Sequence, residues 1–229
     1  GLALAKLFAY DGYSVSILAR RKDRLEKIAK ELNESGSTVF PITCDVTDPN
    51  DVQQAIKQTV DRFGHIDLVV LNAGVSQSNF ASEFDVSTQD DVLKPNLYGA
   101  LYILEKIIPH MIERQKGHIV GISSLASYIS APGSAAYSAS KAALNHYLSS
   151  LRIELNDKGI DVSTICPGFI KTPLTSRNTY SMPFLMDLDT GAKKIYNAIL
   201  KKKTVYNFPK PLFWLIQLSS LIPIRLRDW

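Results

Sequence analysis

Long apolar runs are missing from this 229-residue chain. None reaches the roughly 18–20 residues that cross a bilayer, so a spanning helix is excluded on length. Cysteine is scarce, with Cys44 and Cys166 alone. Two cysteines make no disulfide framework in a domain this size, and a reducing, cytoplasmic setting is expected. Strong net charge is missing too: 26 Lys and Arg face 22 Asp and Glu, a balance of +4. That is too little to argue for nucleic acid. Internal repeats, low-complexity tracts and inter-domain linkers are also lacking, which points to one domain. No metal is expected.

What is present is ordinary in amount and uneven in placement. Apolar residues make 45% and charged residues 21%, enough for a packed core. Residues 191–229 hold six lysines and two arginines against a single acid, Asp228. That asymmetry points to an anionic surface or substrate near the C-terminus.

Hydrophobic spacing predicts helices over Leu2–Tyr10, Arg24–Asn33, Asp51–Phe63, Asp90–Arg114, Ala135–Lys158 and Gly191–Lys202. Between them, Ser14–Ala19, Val39–Cys44, Asp67–Leu71, His118–Ile122, Asp161–Ile165 and Thr204–Asn207 read as strands. The strands are apolar on both faces and alternate with helices. That pattern predicts an α/β domain, a doubly wound parallel sheet covered on each side. Such sheets bind ligands at the carboxyl ends of their strands. Those ends are Ala19-Arg20-Arg21, Cys44-Asp45-Val46, Asn72-Ala73-Gly74, Ser123-Ser124 and Cys166-Pro167-Gly168.

The strongest chemical signal is Tyr137-Ser-Ala-Ser-Lys141. On a helix its tyrosine and lysine stand four apart and share a face. An ammonium about 4 Å from a phenol, at an effective dielectric near 20, favours phenolate by roughly 4 kcal/mol. That is about three pKa units, enough to tune a tyrosine toward acid–base work near neutral pH. Ser124, thirteen residues upstream, ends a strand where its hydroxyl can donate to a developing oxyanion. Asn72-Ala73-Gly74 reads either as a tight turn or as backbone approaching a flat ligand. Asn96, unfavourable in mid-helix, either faces solvent or holds a kink or an ordered water.

Asn72-Ala73-Gly74, Asn96, Ser124, Tyr137-x-x-x-Lys141 and Pro167-Gly168, in this order and spacing, resemble the short-chain dehydrogenase/reductase family over about residues 1–175. The resemblance implies a Rossmann-type domain that binds NAD(H) or NADP(H). It implies Tyr137 as general acid/base, with Lys141 holding the ribose hydroxyls and lowering the tyrosine pKa. Ser124 would orient the substrate oxygen, and Asn96 would support a water-linked proton relay. Asp45, with Val46 beside it, would meet the adenine, and the Asn72-Ala73-Gly74 backbone would line the cofactor. Pro167, Gly168, Ile170 and Thr172 would face the nicotinamide. Leu71 stands where the family commonly has a second Asn. The family's first strand and Thr-Gly-x-x-x-Gly-x-Gly turn are missing, with Gly1 matching its last glycine. A natural chain longer by about 10 or more residues is therefore expected.

Cofactor choice is read after the second strand of such a fold, where an acid would bind a ribose 2′-hydroxyl. Here Arg20 and Arg21 follow Ala19. Arginine suits a 2′-phosphate, so NADP(H) is expected over NAD(H), with Arg20 as the main contact. The alternative is two solvated residues opening a helix. The segment 178–189, NTYSMPFLMDLD, is either an apolar lid over a lipophilic carbonyl or alcohol substrate, or a loop packed on the domain.

The domain proper is expected over 1–209, followed by an apolar and basic segment, 210–229. That segment reads as a helix buried in the core or an oligomer interface. Its second reading is a helix lying in a membrane surface, flanked by Lys203, Lys210, Arg225 and Arg227 with Trp214 and Trp229 as anchors. Resemblance further implies a homodimer or homotetramer through the helices near 90–114 and 135–158. Two other functions compete: a cofactor-binding scaffold or sensor without turnover, and an epimerase or dehydratase that recycles its cofactor.

Overall fold

The pattern of periodic segments reappears almost element for element in the computed structural model, which describes residues 1–178 and 180–223. Arg225, Arg227 and Trp229, named above as membrane anchors, lie outside the described residues. The helices are α1 (Leu2–Tyr10), α2 (Lys22–Glu34), α3 (Pro49–Phe63), α4 (Val86–Leu93), α5 (Gly99–Arg114), α6 (Ala135–Leu155), α7 (Leu188–Leu200) and α8 (Lys210–Ser219). The strands are β1 (Ser14–Ala19), β2 (Thr38–Thr43), β3 (Leu68–Leu71), β4 (Gly117–Ile122), β5 (Ile160–Pro167) and β6 (Val205–Phe208). Among the described residues no helix is long and apolar enough to cross a membrane.

All described ladders are parallel. β1 pairs with β2, Ser14 opposite Thr38 through Ala19 opposite Thr43. A second ladder runs in the order β3-β4-β5-β6. The sheet is thus described as two pieces, with no ladder joining β1 to β3, the gap expected where the family's first strand is missing. Side-chain packing joins them. Leu4 and Phe8 of α1 form one cluster with Val15 of β1, Leu68 and Val70 of β3, and Val120 of β4. On the other face, Val52, Ala55 and Ile56 of α3 meet Ile42 of β2, Leu71 of β3, and Ile103, Leu104 and Ile107 of α5. Each fully buried aliphatic side chain in such a cluster is worth about 1.5–3 kcal/mol.

The helix expected over Asp90–Arg114 differs from the sequence reading in two ways, each for an identifiable reason. The helix expected from Asp90 begins at Val86, because the Asp85 side chain accepts from the Ser87 amide at 3.0 Å and caps it. The same helix is interrupted at Lys94–Tyr98 by a π-helical turn. Pro95 lacks the amide that would continue the regular ladder there. At Gly99 a Cβ would lie 2.8 Å from Val46 Cγ2, so the helix presses closely on the end of β2.

One buried polar pair sets the acid limb of stability. His118 of β4 and Ser163 of β5 are hydrogen-bonded at 2.8 Å between His118 Nε2 and the hydroxyl. Burial pushes His118 below its ordinary 6.5; Asp161 opposes that and Lys202 adds to it. A depressed histidine favours folding in its neutral form. Its contribution is therefore present above pH 6.5 and lost as pH falls through that value and the lower folded one. Urea midpoints followed from neutral to mildly acidic pH should fall for the wild type, and His118→Gln should flatten that fall.

Candidate active site

Three strand ends and one helix face build the site. β4 ends at Ile122, and Ser123 and Ser124 follow in extended conformation. The Ser123 amide donates to the Ile165 carbonyl at 2.7 Å, keeping the turn attached to β5. The Ser123 hydroxyl donates to the Lys141 carbonyl at 3.2 Å, which ties the same turn to α6. Ser124 caps the short turn Leu125–Tyr128, its hydroxyl accepting from the Ala126 amide at 3.1 Å.

On α6, Tyr137, Ser140 and Lys141 face inward. Lys141 is 4% exposed and its Nζ donates to the Ile122 carbonyl at 2.9 Å. Burial pushes its ammonium down from 10.5 to about 8. Tyr137 is partly buried. Burial raises its phenol above the ordinary 10, a hydrogen bond to the Ser124 side chain lowers it, and Tyr180 raises it. This corrects the expectation of a phenol tuned down by its lysine. The lysine nitrogen sits 6.0 Å from the Tyr137 ring centroid, and its hydrogen bond goes to the β4 carbonyl.

Asn96 lies in the π turn and is 1% exposed. Its Oδ1 accepts from the Val75 amide at 2.7 Å, and its Nδ2 donates to the Val75 carbonyl at 3.0 Å. Nδ2 also donates to the Ser140 hydroxyl at 3.0 Å, and that hydroxyl donates to the Tyr137 carbonyl at 2.7 Å. Of the two readings left open for Asn96, the solvent-facing one is wrong. The side chain clamps the loop after β3 to α6. Asn96→Ala would orphan the Val75 amide and carbonyl at a cost of about 3 kcal/mol. Its urea midpoint should drop accordingly, and turnover should fall with it.

Ser140 and Val75 were not singled out from sequence. The signal for Ser140 was a serine inside a helix, where its hydroxyl must find a local partner. Nothing marked Val75, because its backbone and not its side chain is used.

The remaining expected contacts fall into two groups. Gly74 sits against the clamp: a Cβ there would be 3.3 Å from Lys141 Nζ and 3.5 Å from Asn96 Oδ1. Ala73 precedes it, and a Cβ on Gly1 would be 3.0 Å from Asn72 Nδ2. These residues gather beside Lys141. Arg20, Arg21, Asp45 and Val46 gather separately at the ends of β1 and β2. Arg20 Nη1 is 3.9 Å from Asp45 Oδ2, a loose pair on an arginine 73% exposed. The Thr47 amide chiefly holds Asp45 below the usual carboxylate range; burial opposes this, and the Thr47 hydroxyl and Arg20 assist. Pro167 ends β5, and the Gly168 amide donates to the Phe208 carbonyl at 2.7 Å. Ile170 turns toward Gly191 of α7 and bridges to Met186. The Thr172 amide donates to the Thr175 hydroxyl at 2.9 Å.

A nicotinamide dinucleotide fits these residues. The side-chain-free position at Gly74, directly against a buried lysine, leaves backbone where a flat group can approach.

The model of the family described as short chain dehydrogenase matches residues 1–182. An uncharacterized oxidoreductase of Myxococcus xanthus is 35% identical over 228 residues, covering 100% of this chain and 90% of that protein. A 3-oxoacyl-[acyl-carrier-protein] reductase of Staphylococcus aureus is 33% identical, covering 76% of this chain and 72% of its own. The solved structure of an actinorhodin polyketide ketoreductase variant with NADPH superposes with a TM-score of 0.82 at 26% identity, covering 90% of each chain. The chain belongs to the short-chain dehydrogenase family, a class of oxidoreductases that bind nicotinamide nucleotides in a single α/β domain.

Proposed function

We propose that this protein reduces a carbonyl on an apolar substrate with NADPH, or oxidises the corresponding alcohol with NADP⁺. The observation that carries the reading is the gathering of Ser124, Tyr137, Lys141 and Asn96 at the ends of β3 and β4, with Asn96 tied to α6 through Ser140 and Lys141 tied to the end of β4 through Ser123 and the Ile122 carbonyl. When bound, the nicotinamide supplies or accepts the hydride.

The chain's own residues handle position and proton. Ser124 donates to the substrate oxygen, and its side chain draws the Tyr137 phenol down against the effect of burial. The raised phenol is neutral at neutral pH and so carries the proton that a nascent alkoxide needs. Lys141, mostly protonated below pH 8, would hold the ribose. The loop Asn72–Gly74 lines the cofactor, with Gly1, Asp45, Val46, Pro167, Gly168, Ile170 and Thr172 along its length.

Arg20, with Arg21 beside it, would bind the 2′-phosphate. Its loose, exposed pairing with Asp45 leaves the guanidinium free to exchange one anion for another. Arg20→Glu should reverse the preference. Initial rates with NADPH and NADH should show the wild type favouring NADPH and the variant favouring NADH. A wild type that favours NADH would sink the assignment.

The apolar substrate is supported by the segment after β5. Tyr180, Phe184 and Leu185 are exposed there, and Tyr180 meets Phe169 edge-on with centroids 6.2 Å apart. A carbonyl on an acyl chain, the substrate type in the name of the Staphylococcus aureus relative, suits such a rim. The assembly we propose is a homodimer or homotetramer through α5 and α6, whose outer faces expose Ile112, Tyr147 and Ile153.

A further inference from the structure

α6 carries a further polar side chain in line with Tyr137 and Lys141. Asn145 lies four residues beyond Lys141 and eight beyond Tyr137, so the three share one face of the helix. Its Nδ2 donates to the Ser127 hydroxyl at 2.8 Å. Ser127 donates to the Ser124 carbonyl twice, from its hydroxyl at 2.6 Å and from its amide at 3.1 Å. A path of two side-chain hydrogen bonds therefore runs from α6 to the backbone of Ser124.

Proton count fixes the direction of each bond. A serine hydroxyl has one proton to give. Ser127 gives its proton to the Ser124 carbonyl, so it can only accept from position 145, and the group there must be a donor. The Cys166 thiol of β5 donates to Asn145 Oδ1 at 3.9 Å, which turns the amide nitrogen toward Ser127. Cys166 is fully buried. The Tyr128 hydroxyl lies 3.8 Å from its sulfur and donates to Asn207 Oδ1 at 3.3 Å. α8 covers this cluster. Its Leu212, Phe213 and Ile216 pack on Leu125, Tyr128 and Cys166, with Phe213 meeting Tyr128 edge-on at 5.7 Å between centroids. Trp214, Leu215 and Leu218 of the same helix stay exposed.

Ser124 is thereby held from both ends. Ser123, before it, is tied to the Lys141 carbonyl and to β5. Ser127, after it, is tied to Asn145. The Ala126 amide takes up the Ser124 hydroxyl as an acceptor at 3.1 Å and leaves its proton free to be donated. We infer that Asn145 is a positioning residue that sets where the Ser124 hydroxyl points, acting through Ser127. Its effect on rate rests on the reaction proposed above; its effect on geometry does not.

The test uses Asn145→Ala and Ser127→Ala, which delete opposite ends of one bond, each alone and each combined with Ser124→Ala. Ser127→Ala serves by itself if Asn145→Ala does not fold. Steady-state reduction of benzaldehyde with NADPH gives kcat and KM. Hydrogen exchange at the Ala126 amide, followed by NMR, reports on the Ser124 hydroxyl without any turnover. Either variant should lower kcat about ten- to hundredfold, the cost of a misplaced group, and leave KM for NADPH unchanged. In the Ser124→Ala background the same substitutions should cost about twofold or less, because the hydroxyl they position is already gone. The Ala126 amide should exchange about tenfold faster in both variants, while the amides between β4 and β5 keep their wild-type rates. Losses that multiply in the Ser124→Ala background would place the effect elsewhere on α6 and overturn the inference. So would an Ala126 amide that exchanges at the wild-type rate. A wild type without turnover would sink the proposed reaction instead, and exchange at Ala126 would then decide the inference by itself.

Discussion

Tyr137→Phe should lower turnover by about a thousandfold while leaving NADPH affinity close to that of the wild type. The ring keeps its place on α6, since its packing needs no hydroxyl, and the cofactor contacts proposed for Lys141 and the Asn72–Gly74 loop are untouched. What goes is the proton. A positioned general acid contributes about 10²–10⁴-fold. Because burial is the largest influence on the phenol and raises it, the wild type should reduce best at neutral pH and below. Alcohol oxidation needs the deprotonated form and should climb as pH rises. Turnover by absorbance at the nicotinamide band and affinity by NADPH fluorescence separate the two effects. A variant that keeps a tenth of wild-type turnover would remove Tyr137 from the acid's role.

Lys141→Met should cost activity and raise stability together. The ammonium is buried, and its folded pKa of about 8 stands below the ordinary 10.5. Between those values the unfolded chain binds more protons than the folded one. Wild-type stability therefore rises as pH climbs from about 8 toward 10.5, and the cost of burial is fully felt below 8. At neutral pH that cost is a few kcal/mol. Methionine fills similar volume without charge and removes it, although the Ile122 carbonyl loses its donor and gives back about 1–3 kcal/mol. Thermal melts should show Met above Lys at neutral pH, and the pH slope between 8 and 10.5 should vanish in the variant. Turnover should fall at least a hundredfold. A variant less stable than the wild type, with the slope intact, would show that the lysine is not paying a burial cost.

Much of this architecture was legible because hydrophobic period and turn residues are local. The bounds of α1 and β1 read from sequence are those observed. The strand ends that a parallel sheet makes interesting are the ones that hold Asn72, Ser124 and Gly168. The misses share a different cause. The π turn arises where Pro95 meets the crowding of Gly99 on Val46, a contact between residues some 50 positions apart. The direction of Lys141 depends on a carbonyl of another element, which helical spacing alone does not specify. For α8, a helix apolar nearly all round carries no mark of which side will be covered; the floor provided by Leu125, Tyr128 and Cys166 decides.

The grip of Asn96 on Val75 has a consequence for which substitutions this site can absorb. Both bonds go to the peptide group, one to its N–H and one to its C=O. The side chain at 75 is thus free to vary, and proline is the one residue barred by lack of a donor. The spacing of the loop and α6 is set instead through the side chains of Asn96 and Ser140. Aspartate at position 96 would offer two acceptors and no donor, and glutamine would overreach by a methylene. Tolerance at one position is matched by intolerance at its partner 21 residues away.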